Sequence, residues 1–256
     1  MPLPFPMLAD FAIRLACGLA ALLLITPWRA VPLAFFRTHC QVILSLLVLA
    51  ALDVSRQGIR GPVLIAIIAS AVLTYIATVS WGLGLPRVGI PALALILIAS
   101  AGTLIAVSSS QNRVAWALNG TGRLVSAFLM GATLTAMLLG HHYLTAPAMS
   151  IEPLKRYMRS MAWGLTARAI VAGLGLGVLL AGTVAATGST PVSPLFLSVR
   201  WGMGIFGPAL AALLTWKTVQ IRSTQSATGI LYIGMTLVLF GELTAMILSR
   251  EAGIVL

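Results

Sequence analysis

The stretch "GPVLIAIIASAVLTYIATVSWGLG", residues 61–84, decides the fold. It carries no charged side chain from end to end. A bilayer's hydrocarbon core is crossed by about 20 apolar residues in an α-helix. With no water there to satisfy backbone N–H and C=O groups, a helix is what such a stretch must form. Seven more stretches read the same way, over residues 8–27, 33–54, 88–108, 122–145, 160–186, 195–219 and 224–248. Proline and glycine punctuate the gaps, at Pro27, Pro32, Gly58, Pro86, Pro147, Pro153, Pro191 and Pro194. The expectation is an all-α polytopic membrane protein, a bundle of eight transmembrane helices forming a single domain over 1–256.

Composition agrees. Of the 256 residues 59% are hydrophobic and only 8% are charged, with a mean hydropathy of +1.04. A soluble domain is about 25% charged, so this surface is meant for lipid. The net charge of +11 is not a nucleic-acid signature, because the basic residues stand singly between apolar segments, as membrane anchors do, and form no basic face. No connection is long enough for a folded aqueous domain. No Ser–His–Asp arrangement, zinc-type cluster or P-loop can be assembled, so no catalytic residue is named. Cys17 and Cys40 lie in apolar segments without a CxxC and read as buried free thiols. The N-terminal segment has no basic residue before Arg14 and reads as the first span.

"GMGIFG", residues 202–207, matches a G-x-G-x-x-G string, but it lies inside an apolar helix and not between a strand and a helix. Its glycines serve close helix packing, and Pro208 should kink the span. "SSSQNRVAWALNGTGR", residues 108–123, suits an interfacial helix or a helical extension of span five.

Loops one, three, five and seven hold eight basic residues: Arg29, Arg37, Arg87, Lys155, Arg156, Arg159, Lys217 and Arg222. The other side holds five: Arg56, Arg60, Arg113, Arg123 and Arg250. The excess places the odd loops inside and both termini outside, in a bacterial inner (cytoplasmic) membrane.

Against this apolar background the histidines stand out. His39 sits in "FFRTHCQVILSLL", and His141 and His142 are adjacent in "LLGHHYL". By span count all three fall near one membrane face, about 8–9 Å deep at about 1.5 Å per residue. Two helices presenting imidazoles at matched depth suit a haem b, with one axial nitrogen from each side. Adjacent helical residues point about 100° apart, so His141 and His142 cannot both face one partner. His141 shares its side with Met130, Leu134 and Met137, an apolar lining fit for a porphyrin, and with His39 forms the expected metal-ligand pair. His142 shares a side with Gly131, Thr135 and Leu138 and could bond a neighbouring helix instead. A quinone beside these helices is the other cofactor the arrangement suits.

The stretch "TWKTVQIRSTQSATGILY", residues 215–232, is dense in polarity for a turn between spans. It lies on the histidine face. Lys217, Arg222 and Gln225 could form a wet turn with basic anchors, or a mouth for a quinone headgroup, haem propionates or an acidic partner subunit. Arg37 and Arg222 suit propionates because guanidinium binds carboxylate bidentately. Toward the other face, Glu242 in "LFGELTAMIL" is the acidic residue well inside a span. Unpaired, it would cost several kcal/mol or be protonated. Arg14 and Arg200 lie at similar depth as partners; a proton relay is the alternative. Arg168 either turns inward to a polar partner or snorkels.

A polar hairpin followed by a final helix ending "GELTAMIL" resembles the membrane anchors of polysulfide- and dimethyl-sulfoxide-reductase-type complexes. The resemblance covers about the last thirty residues. It implies a quinol site and a partner carrying iron–sulfur clusters. "FFRTH" and "GHHYL" also resemble segments of uncharacterised bacterial multi-span proteins. The function expected is a membrane-embedded subunit of a respiratory or photosynthetic electron-transfer complex. It would bind haem b or quinone, contact lipid and other subunits, and have no nucleic-acid partner. The alternatives are a cofactor-free scaffold or assembly subunit and a small-solute transporter, the latter without the internal repeat such folds carry.

Overall fold

The computed structural model describes residues 5–108, 112–145, 149–182 and 193–256. The described residues form helices joined by turns, with no strand among them, and include eight helices long and apolar enough to cross a membrane. In order these are α1 (Met7–Ile25), α2 (Leu33–Arg56), α3 (Pro62–Gly82), α4 (Pro86–Ala106), α5 (Arg113–Thr145) and α6 (Glu152–Leu180). Then come a broken span of α7 (Pro194–Trp201), a π-helical turn (Gly202–Phe206) and α8 (Gly207–Gln220), and last α9 (Thr224–Ala252). Pro62, Pro86 and Pro194 open their helices, where the missing N–H costs nothing. The polar segment before span five is a helical extension, which makes α5 33 residues long. α6 likewise begins at Glu152, ahead of its apolar run. The interruption expected at Pro208 falls one turn earlier, as the π-helical turn.

The helices form two compact units, residues 1–107 and 108–256. In the first, α1 packs on α2 and α4, α2 on α3, and α3 on α4, closing a ring of four. α1 is buried along most of its length, whereas α3 and α4 turn Ile65, Val72, Tyr75, Leu95 and Ile98 outward, as lipid-facing helices do. Asp10 and Arg14, one turn apart on α1, are buried and paired at 2.7 Å, and Asp53 accepts a hydrogen bond from the Ala9 backbone N–H at 3.0 Å. Phe36 stacks on Trp81 with ring centroids 4.3 Å apart.

In the second unit α9 is the centre. It packs on α5, α7, the π turn and α8, while α6 packs on α5 and α8. The contact with the π turn is backbone on backbone: a Cβ on Gly241 would strike the Gly204 Cα. α9 ends at Gly253, whose φ of 72° requires glycine here, and the chain turns back into the unit. Ile254, Val255 and Leu256 are all buried. Asn119 donates to the Gly253 carbonyl at 3.2 Å, and the Leu256 N–H donates to Ser249 Oγ at 3.2 Å. Gly122 and Gly175 make room for Val255.

Gly241→Val should therefore destabilise the purified protein by about 1–3 kcal/mol or more, since backbone cannot yield to the added carbons. Gly229, with open space beside it, serves as the control. Gly229→Ala should leave thermal denaturation in detergent unchanged or raise its midpoint, because alanine is the better helix former.

Candidate functional site

Three sets of polar side chains are the candidates. The first is the charge cluster of the second unit. Arg168 on α6 grips Glu242 on α9 through two parallel bonds, Nε to Oε1 at 2.8 Å and Nη2 to Oε2 at 3.1 Å. Arg200, at the end of α7, approaches Glu242 Oε1 at 3.8 Å through Nη2. Both guanidiniums also reach the Leu256 backbone oxygen, from Arg168 Nη2 at 3.4 Å and Arg200 Nε at 3.2 Å. All three side chains are completely buried. Arg168, left open between an inward partner and the membrane surface, thus proves to be the main partner of Glu242. Arg200 is the secondary one, and Arg14 is instead paired with Asp10. The cluster ties α6, α7, α9 and the returning tail together. Glycine supports it directly: a Cβ on Gly204 would strike Arg200 Nη1.

The second set is the histidines. His39 is buried; its Nδ1–H donates to the Phe35 carbonyl at 2.8 Å, and its ring lies 4.0 Å from the Phe35 ring. In the neutral ring that bond puts the proton on Nδ1 and leaves Nε2 a lone pair, and Nε2 has no protein partner. His141 is exposed and His142 half-buried, which reverses the facing expected of the pair. His39 belongs to the first unit and His141 and His142 to the second. Among the described residues no three His, Cys, Asp or Glu side chains gather as a metal-binding group. His39 offers one buried, unpartnered nitrogen, Nε2, while its Nδ1 is held by a carbonyl, as ligating imidazoles usually are.

The third set is a polar cup at one end of the second unit. It is a cavity of about 650 Å³ lined by Tyr143, Met149, Ser150, Ile151, Glu152, Arg222 and Thr224. The end of α5 supplies Tyr143, whose buried hydroxyl donates to the Ser150 carbonyl. The start of α6 supplies Glu152, held by Arg159 at 3.0 Å and Arg156 at 4.0 Å. The turn between α8 and α9 supplies Arg222, a non-glycine residue at φ 58°, in the left-handed region. Such a conformation is uncommon outside glycine and marks a constrained turn. Of the residues expected at the mouth, Arg222 lines the cup, whereas Lys217 and Gln225 are exposed and outside its lining. Arg37 is exposed in the first unit, alongside Gly82. Tyr143 and Glu152 were missed in the sequence, although Tyr143 directly follows the histidine doublet.

Comparison with protein-family models, with curated proteins and with solved structures finds no match.

Breaking one side of a buried pair costs about 3–5 kcal/mol. Arg168→Met and Glu242→Gln should each destabilise by that order, and in combination by much less than their sum. Arg14→Met with Glu242→Gln should instead be additive within about 0.5 kcal/mol. Denaturation of the single and double variants measures both couplings.

Proposed function

We propose that this chain is a membrane-embedded subunit of an electron-transfer complex that contacts a quinone at the polar cup. The cup carries the reading: a cavity large enough for an aromatic headgroup, at helix ends, with a cation and a carboxylate on its wall. The Arg222 guanidinium would donate to a quinone carbonyl oxygen. The Glu152 carboxylate would accept a hydrogen bond from a quinol hydroxyl, and could receive its proton. Nothing in the cup supplies or takes electrons, so that part falls to a redox centre of a partner subunit, in line with the basic surface around Lys155, Arg156 and Arg222. The excess of basic residues on the odd loops supports a cytoplasmic position for the cup, in a bacterial inner membrane.

The free Nε2 of His39 supports a second reading, haem b. His39 would hold the iron through Nε2. The haem would supply a one-electron centre within the membrane. The carbonyl bond of Nδ1 orients the ring, so that the neutral imidazole would present the Nε2 lone pair to the iron.

A hydrogen bond to a charged group is worth about 1.5–3 kcal/mol, so Arg222→Gln should weaken binding of a tailless benzoquinone about tenfold or more. Wild-type protein that binds no quinone refutes the first reading and leaves a cofactor-free scaffold. Visible spectra of the native complex, oxidised against dithionite-reduced, decide the second. A b-type α-band that vanishes in His39→Ala supports haem, and a featureless spectrum removes it. Proteoliposomes of the isolated chain should show no solute flux.

A further inference from the structure

An apolar groove lies between α6 and α8. Its volume is about 400 Å³, and its walls are Met158, Ala162, Leu165 and Thr166 on one side and Ala209, Ala212, Leu213 and Trp216 on the other, with Arg159 at its rim. The two helices belong to successive spans and run in opposite directions. Met158 and Trp216 therefore lie nearest the ends that build the cup, at Glu152 and Arg222, while Leu165, Thr166 and Ala209 lie farthest in. From Glu152 to Met158 is one and a half turns, about 9 Å at about 1.5 Å per residue. The Glu152–Arg159 ion pair bridges the two spaces, since Glu152 lines the cup and Arg159 lines the groove.

We infer that cup and groove are one amphipathic site, in which the groove receives the polyisoprenoid tail of the quinone whose headgroup sits beside Arg222. This rests on the quinone reading of the cup. The succession is what such a molecule requires: polar and wet at the helix ends, apolar and narrow between the helices. Small residues form the groove floor. Ala162, Ala209 and Ala212 let a flexible chain lie against backbone, as small residues let helices approach in membranes. The tail gains nothing here from leaving water, because lipid is as apolar as the groove. It gains packing against fixed walls, and it holds the headgroup near its hydrogen-bonding partners.

The test uses purified full-length protein in detergent, with Trp216 in the groove as a fluorescence reporter. Two probes are titrated, a benzoquinone with a polyisoprenoid tail and the same headgroup without one. Ala162→Phe and Ala209→Phe narrow the groove at positions open enough to take a larger side chain. Leu210→Phe, on the exposed side of α8, is the control, and circular dichroism confirms that each variant stays helical. Wild type should bind the tailed probe more tightly than the tailless one. Each groove variant should lose about tenfold for the tailed probe, the equivalent of a few packed carbons, and nothing for the tailless one. The assignment is overturned if wild type binds both probes equally, if the groove variants bind the tailed probe as wild type does, or if they lose both probes equally. A wild type that binds the tailless probe but draws no advantage from a tail refutes the groove and spares the cup. One that binds neither refutes the functional reading itself.

Discussion

Polar groups in this protein have no water to turn to. Within the hydrocarbon donors and acceptors must be met by the chain itself, and the structure follows the rule at each scale, with exceptions that include His39 Nε2 and Thr135 Oγ1. Side-chain hydroxyls fold back onto their own helices: Ser70, Thr74, Ser100, Thr103, Thr133 and Thr215 each donate to a carbonyl one turn earlier. Asp10 and Arg14 close an ion pair within a single helix. Glu242 is the extreme case. Its charge can be buried only because Arg168 supplies two hydrogen bonds and Arg200 a second positive charge, from helices that must come close to do so.

That closeness is built from glycine. Gly204 and Gly241 bring the π turn against α9, and Gly122 and Gly175 admit the returning tail. A π-helical turn widens the helix by one residue, and such turns often mark functional positions. Here it lies immediately after Arg200, between the cluster and α8, in the span that also walls the groove. The interior of the second unit is thus fixed by ion pairs and backbone contacts. Space for a ligand opens where the helices end and water begins, at the cup, and in the groove between α6 and α8.

Much of this was legible in residues 61–84 and their seven counterparts, because hydropathy and length report directly on the solvent a segment needs. The α5 and α6 extensions were less legible. Arg113, Lys155 and Arg156 lower the local hydropathy at the helix starts without breaking the helix, since arginine and lysine are good helix formers. In the "GMGIFG" string Gly204 and Gly207 pack closely, as its apolar setting implied, whereas Gly202 has open space beside it. Two readings needed the partner helices. Arg168 was an isolated basic residue in the sequence, and nothing local told that it would face Glu242, 74 positions away. Likewise the pattern around "LLGHHYL" favoured His141 as the inward residue. The structure exposes His141, half-buries His142, and buries Tyr143 in the wall of the cup.

By itself, then, the sequence determined an all-helical chain of eight spans, where the spans lie, and that its few charges within them must be matched. These follow from transfer free energies and helical period, which each segment carries alone. Tertiary structure decided which charge meets which, which imidazole nitrogen is left free, and that Tyr143, Glu152 and Arg222 share one cavity. Those outcomes depend on the rotation of each helix about its axis. That rotation is set by packing against helices distant in sequence, through ridges, grooves and glycine contacts that no single segment contains.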